Sequence, residues 1–446
     1  MQFFATDLNF PRTFTYGYAY DAYGHVATQT MGWNMYSTGG VNNQVNESYS
    51  MSYQWDNEGK MTSYTDVSGV EYDYTYDGMG RATNLTGAGQ QVVSATYGPA
   101  NQLATLGSET RQYNSLLQLT GIVWGARSMT YNYPMDNNGR IASSVDSASG
   151  QTVNYTYDSL NRLTGAQAAG GWGESYSYDG FGNLTGITPT GQGGETWSGM
   201  VDQATNRLAG VNYDANGNQI GDQVYTNYKW DPENRMVQQL SPAGGSWYGG
   251  TGYTYDPGGR RVMKNVNADP QGTNTGTGYG AGTWEFYFYG LNGRKMATIG
   301  CTYNTGYLEL CHVSGENVYF AGQMIVDNGG PVVTDRLGSV RGDGSQYSPN
   351  YQYYPYGAEQ APAGSGMTKF GTYFRDAIGQ DYAEQRYYNA GMGRFWSPDP
   401  GGIKTAVPSD PGSWNRYGYA YMGIQSICLI LTGRTPFGGM ITSLPA

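Results

Sequence analysis

The sequence predicts an all-β fold, a solenoid of stacked β-hairpins, and three observations lead there. Among 446 residues, glycine occurs 69 times and tyrosine 43 times. Charged residues reach only 13%, about half the usual share of roughly 25%. A short pattern also recurs along the chain: aromatic, any residue, aromatic, Asp, two residues, then Gly or Asn. Glycine supplies positive φ for tight turns, and aromatic rings pack well on a pleated surface. Such a composition excludes a helical bundle, a coiled coil and a disordered acidic tail. Glycine and proline together stay below the roughly 25–30% of low-complexity chains.

The copies run in chain order. They begin with Tyr18, Tyr20, Asp21 and Gly24, then Tyr53, Trp55, Asp56 and Gly59, then Tyr74, Tyr76, Asp77 and Gly80. Tyr155, Tyr157, Asp158 and Asn161 follow, then Tyr176, Tyr178, Asp179 and Gly182. Tyr213, Asp214 and Gly217 form a shorter copy; Tyr228, Trp230, Asp231 and Asn234 lead to Tyr253, Tyr255, Asp256 and Gly259. Weaker copies stand at Tyr97, Tyr113, Tyr133 and Tyr289. Several copies lie 20 or 21 residues apart, as from Trp55 to Tyr76 to Tyr97. Gaps of 34 or 35 residues read as longer loops or a degenerate copy.

Each unit has a legible chemistry. Two aromatics at period two share one face of a strand. The aspartate accepts from backbone N–H groups just downstream in an Asx-type turn, and the Gly or Asn takes the left-handed conformation. The next residues, as at Arg162-Leu163 or Arg235-Met236, start the returning strand. One hairpin cannot bury its aromatic face, whereas stacked hairpins do. Asp21, Asp56, Asp77, Asp158, Asp179, Asp214, Asp231 and Asp256 are therefore turn-formers. A rival use of the rings, as sugar-stacking platforms, stays open.

The net charge of −11 argues against nucleic acid and against an anionic membrane surface, since both call for a basic footprint. No apolar run reaches the roughly 18 residues of a membrane helix. No secretory signal is legible at Met1–Asp7. Cys301, Cys311 and Cys428 make no disulfide framework, although Cys301 and Cys311 could bridge in an oxidising compartment. His25 and His312 are isolated, so neither a metal site nor a histidine-based triad is expected, nor any cofactor. Gly272–Gly282 reads as a loop, because no helical pattern follows it.

The repeat resembles the YD repeat of Rhs proteins, bacterial Tc-toxin C components and teneurins, over roughly residues 14–400. The later part is similar to the Rhs-associated core. Asp335-Arg-Leu-Gly338, Tyr353-Tyr-Pro-Tyr356-Gly357 and Phe370 to Asp376 lead into it. Arg386, Tyr387, Tyr388, Gly393, Arg394, Phe395, Pro398, Asp399 and Pro400 carry its signature. The resemblance implies a hollow β-shell, or cocoon, wholly or partly closed, with the core at one end. It also implies a C-terminal effector within, released by aspartyl self-cleavage.

The tail departs from that family. Trp414 to Tyr421 fits, but Met422 to Gly433 does not, and no aspartate follows Asp410. Asp399 is the one family-matching catalytic candidate, and its dyad partner is missing. A frameshift over this tail would explain the departure, because permitted codons read one base earlier give Gly-Asn-Pro-Ile-Asn-Leu-Leu-Asp-Pro. Three regions are expected: a hairpin array over 1–329, a core-like region over 330–421 and a divergent tail over 422–446. The expected role is structural, in a secreted or cell-surface protein whose effector is absent. The expected partners are that effector or neighbouring shell segments. Glycan adhesion is the alternative, and exposed sheet edges could also support homo-oligomers or filaments.

Overall fold

The structure is a computed structural model. It describes residues 2–7, 10–36, 44–136, 138–221, 227–240, 250–268, 283–304, 307–308, 311–343, 350–361 and 366–419. The tail over 422–446, Cys428 and the loop over 272–282 lie outside the described residues. Strands make up 54% of the described residues. The helical elements among the described residues are short 3-10 turns such as Pro411–Trp414. The all-β reading therefore holds, and the chain divides into two compact units, each assembled from two stretches of sequence.

Unit 1 comprises Met1–Thr96 and Ile220–Pro331. Its early strands, from Gln2–Asp7 through Phe10–Tyr20 and Val26–Tyr36 to Gln90–Tyr97, pair antiparallel in sequence order. The strands from Asn227–Trp230 to Lys295–Asn304 do the same. Alternating side chains from both stretches meet in one core of Phe14, Met31, Trp33, Met51, Val262, Phe286 and Ile299. Trp33 stacks on Phe286 with ring centroids 4.0 Å apart and planes 10° apart. Full burial of such a side chain contributes roughly 1.5–3 kcal/mol. Cys301 and Cys311 face each other beside the Gly300–His312 pair and form a disulfide.

Unit 2 comprises Tyr97–Gln219 and Val332–Ala446. Its hairpins run from Leu103–Leu106 to Trp197–Ser198, again pairing neighbour to neighbour. A five-stranded sheet from Met367–Thr368 to Arg394–Phe395 holds the core signature. Its apolar cluster contains Phe370, Tyr388, Ala390 and Phe395, all buried.

Candidate functional site

The aspartates of the repeat are where the unit's geometry is made. Oδ1 of Asp21, Asp56, Asp77, Asp158, Asp179 and Asp231 accepts from the backbone N–H two residues on. At all eight predicted positions, Asp214 and Asp256 included, Oδ1 accepts from the N–H four residues on. Gly24, Gly59, Gly80, Asn161, Gly182, Gly217, Asn234 and Gly259 all have positive φ. A β-bulge falls at the second aromatic, for example between Thr75 and Tyr76 and between Ser177 and Tyr178. A bulge adds a residue to one strand and bends it. Asp66 makes the same turn, closed by Gly69 at φ 89°. The aromatic pattern hides it, because Thr65 stands where the others carry a ring; the Asp-x-x-Gly spacing alone would have found it.

Consecutive units are joined by a lock that periodicity does not reveal. At Tyr76, Tyr157, Tyr178 and Tyr255 the second aromatic donates its hydroxyl to a carbonyl of an earlier unit, and Trp55 donates its indole N–H to the Val26 carbonyl. Tyr157 reaches Ile141 at 3.0 Å, Tyr178 reaches Leu163 at 2.6 Å and Tyr255 reaches Met236 at 2.7 Å. The residue four after the aspartate completes it. Arg162 binds Asp158, lies 5.0 Å from the Tyr178 ring and donates to the Asp179 carbonyl. Arg235 repeats all three contacts with Asp231, Tyr255 and Asp256. Each arginine thus holds its own turn and the next unit at once. At the first unit His25 takes this place, 3.0 Å from Asp21 Oδ2 and stacked on Trp55.

The residues of the core signature converge in unit 2. Tyr388 donates its hydroxyl to the Tyr356 carbonyl at 2.8 Å, and Tyr387 stacks on Trp396. Gly393 has φ 61°, and a Cβ there would sit 2.9 Å from both Leu184 and Tyr356. Arg394 donates to the Asn206 carbonyl at 2.6 Å and stacks over Tyr417. Arg386 stacks over Phe395 at 3.5 Å. Burial lowers the Arg386 pKa to about 10, against the opposing pull of Asp399. Pro398 is buried and Pro400 exposed.

Comparisons with known proteins agree with this geometry. Residues 12–172 match the Teneurin YD-shell family model. The crystal structure of TcdB2-TccC3 superposes on 92% of this chain with a TM-score of 0.72 at 19% identity. The Photorhabdus luminescens Tc holotoxin pore, with a substituted TccC3, superposes on 93% at TM-score 0.70 and 19% identity. The chain has the YD-shell fold. The chain spans only 24% and 23% of those two chains. No curated protein matches the sequence.

Within this YD-shell fold Asp399 serves a turn. Its Oδ1 accepts from the Gly401 N–H at 2.7 Å, and its Oδ2 lies 3.9 Å from Arg386. Its backbone is held by Arg416 through the 2.8 Å bond to the Arg416 carbonyl. Among the described residues no second carboxyl group contacts it. Asp410 instead caps Pro411–Trp414 by accepting from the Gly412 N–H. Nor do the described residues hold a cluster of three or more metal-ligating side chains.

A buried ionic network had no signature in the sequence beyond its charges. Arg375 bridges Asp381, through Nε and Nη2 at 2.6 and 2.7 Å, and Glu359 at 2.8 Å. Lys369 completes it 2.9 Å from Glu359, and all four side chains are almost wholly buried. Two cations balance two anions, so no net charge is buried. Desolvation raises the Asp381 pKa even against its bonds to Arg375. Five charges within 359–381 of a charge-poor chain, Asp376 among them, were the available signal.

Proposed function

We propose that this chain is a structural shell segment that encloses or displays a C-terminal effector, in a secreted or surface-delivered protein of the Rhs type. The observation that carries this reading is the lock repeated from unit to unit, which spends the repeat's tyrosines, aspartates and arginines on assembly. A chain whose repeated chemistry is consumed in this way is a wall. The Cys301–Cys311 disulfide supports an oxidising destination, where such bonds persist. To test the reading, a reporter enzyme is fused after Ala446. Enclosure predicts that the reporter resists protease until the fold is unfolded; a reporter cleaved as fast as the free enzyme overturns it.

The same reading makes the chain no enzyme. An aspartic dyad needs two carboxyl groups sharing a proton, and Asp399 is committed to Gly401 and Arg386. Intact mass after long incubation should stay that of the full chain. A fragment ending within 400–446 and lost on Asp399→Asn would restore a self-cleaving protease.

A second reading, glycan adhesion, rests on Tyr18, Tyr20 and Tyr23, which are 43%, 62% and 79% exposed in close succession. Binding on a glycan array that disappears with Tyr20→Ala would favour it; an array without signal removes it.

A further inference from the structure

We propose that unit 2 contains a binding site for a small anion with a flat apolar body, an aromatic carboxylate, sulfonate or phosphate ester, anchored by Arg336. The site is a cavity of about 260 Å³ walled by rings that include Tyr131, Tyr157, Trp172, Tyr178 and Tyr356. The hydroxyls of Tyr157 and Tyr178 are already bonded to protein carbonyls. Arg140 lies over the Tyr157 ring and Arg162 over the Tyr178 ring, so the remaining ring surface is what is left for a guest, and it suits a planar apolar one.

Four arginines line this cavity, and three of them are occupied. Arg162 is bonded to Asp158, Arg341 to Asp146 and Arg394 to the Asn206 carbonyl. The Arg336 guanidinium makes no hydrogen bond and no ion pair among the described residues; it lies 5.6 Å from the Tyr131 ring centroid. Its neighbour Asp335 gives it no counter-charge. Asp335 Oδ1 accepts from the Leu337 and Ser339 N–H groups, and Oδ2 lies 3.8 Å from Arg341. A half-buried guanidinium with its whole fork of donors idle stands out in a chain of net charge −11. Stacking on Tyr131 holds the side chain in place before a guest arrives, and a planar oxyanion matches the fork.

The test compares two probes of nearly equal shape, 1-naphthalenesulfonate and the neutral 1-naphthalenemethanol, titrated into the full chain and followed by ligand-observed NMR. The sulfonate should bind roughly tenfold more tightly, and each probe should displace the other. Arg336→Gln should bring the two to parity while the alcohol still binds, which shows the cavity intact. Where Arg336→Gln also loses the alcohol, Arg336→Lys decides: a retained sulfonate preference supports the site, and a lost one rejects it. Equal binding by the parent chain, a preference untouched by Arg336→Gln, or no binding of either probe at millimolar concentration overturns the proposal.

Discussion

Gly182 shows how much of this fold is settled by single residues. Its backbone lies at φ 71°, where a β-branched side chain clashes with its own backbone. Gly182→Val should cost about 1–3 kcal/mol, read by equilibrium denaturation; a variant as stable as the parent would mean that the turn tolerates another conformation. Asp56 and Asp77 set a pH limit at the same scale. The bond from the Lys60 N–H lowers the Asp56 pKa, and the Arg81 side chain lowers that of Asp77. A folded value below the ordinary 3.8 adds stability above that pH, and the gain drains away as pH falls through the folded value. Glu109 and Glu174 act oppositely, since burial raises both, and protonation on the way down from neutral pH relieves a buried charge. The contribution of Asp56 and Asp77 should therefore be present above pH 3.8 and be lost below it, whereas that of Glu109 and Glu174 should grow as pH falls from neutral. Asp77→Asn should flatten part of that acid limb, because an amide keeps the Oδ1 acceptor without the titrating charge. A limb of unchanged steepness in an acid titration followed by circular dichroism would count against this assignment.

At the scale of the hairpin, the lock explains why units of about twenty residues are stable only in company. Tyr157→Phe removes the hydroxyl that caps the Ile141 carbonyl and should cost about 1 kcal/mol. Arg162→Ala removes the Asp158 pair, the bond to the Asp179 carbonyl and the stack on Tyr178 together. Its effect should be local. Amide exchange should quicken across Leu163–Ala168 and Gly173–Tyr178 while Leu119–Trp124 keeps its protection. Uniform acceleration across both units would show that the units do not open separately.

At the scale of the whole molecule, the buried network around Arg375 is the point of greatest electrostatic risk. Arg375→Met leaves Glu359 and Asp381 buried with only Lys369 to balance them and should cost about 3–5 kcal/mol. Neutralising the partners as well, with Glu359→Gln and Asp381→Asn, should recover much of the loss. Thermal unfolding of the single and triple variants checks both statements; a triple variant no better than the single one would assign the loss to packing.

The sequence by itself determined the elements. Aromatic alternation, Asp, and Gly or Asn at fixed spacing are local instructions, and each acts within a few residues of its own position, so the turns and hairpins were legible. The core signature was legible too, as a run of residues, but what those residues touch was not. Arg394 meets Asn206 across 188 positions, and Arg341 meets Asp146 across 195. Asp66 escaped because its turn lacks the aromatic marker, and the bond that ties the Asp399 backbone to Arg416 lay beyond any local pattern. The tyrosine lock, the ion network and the idle Arg336 all depend on side chains from distant stretches meeting at one place. Local chemistry can specify a hairpin, but burial, pairing and cavities belong to the packed chain, because only there does water leave and a partner become fixed.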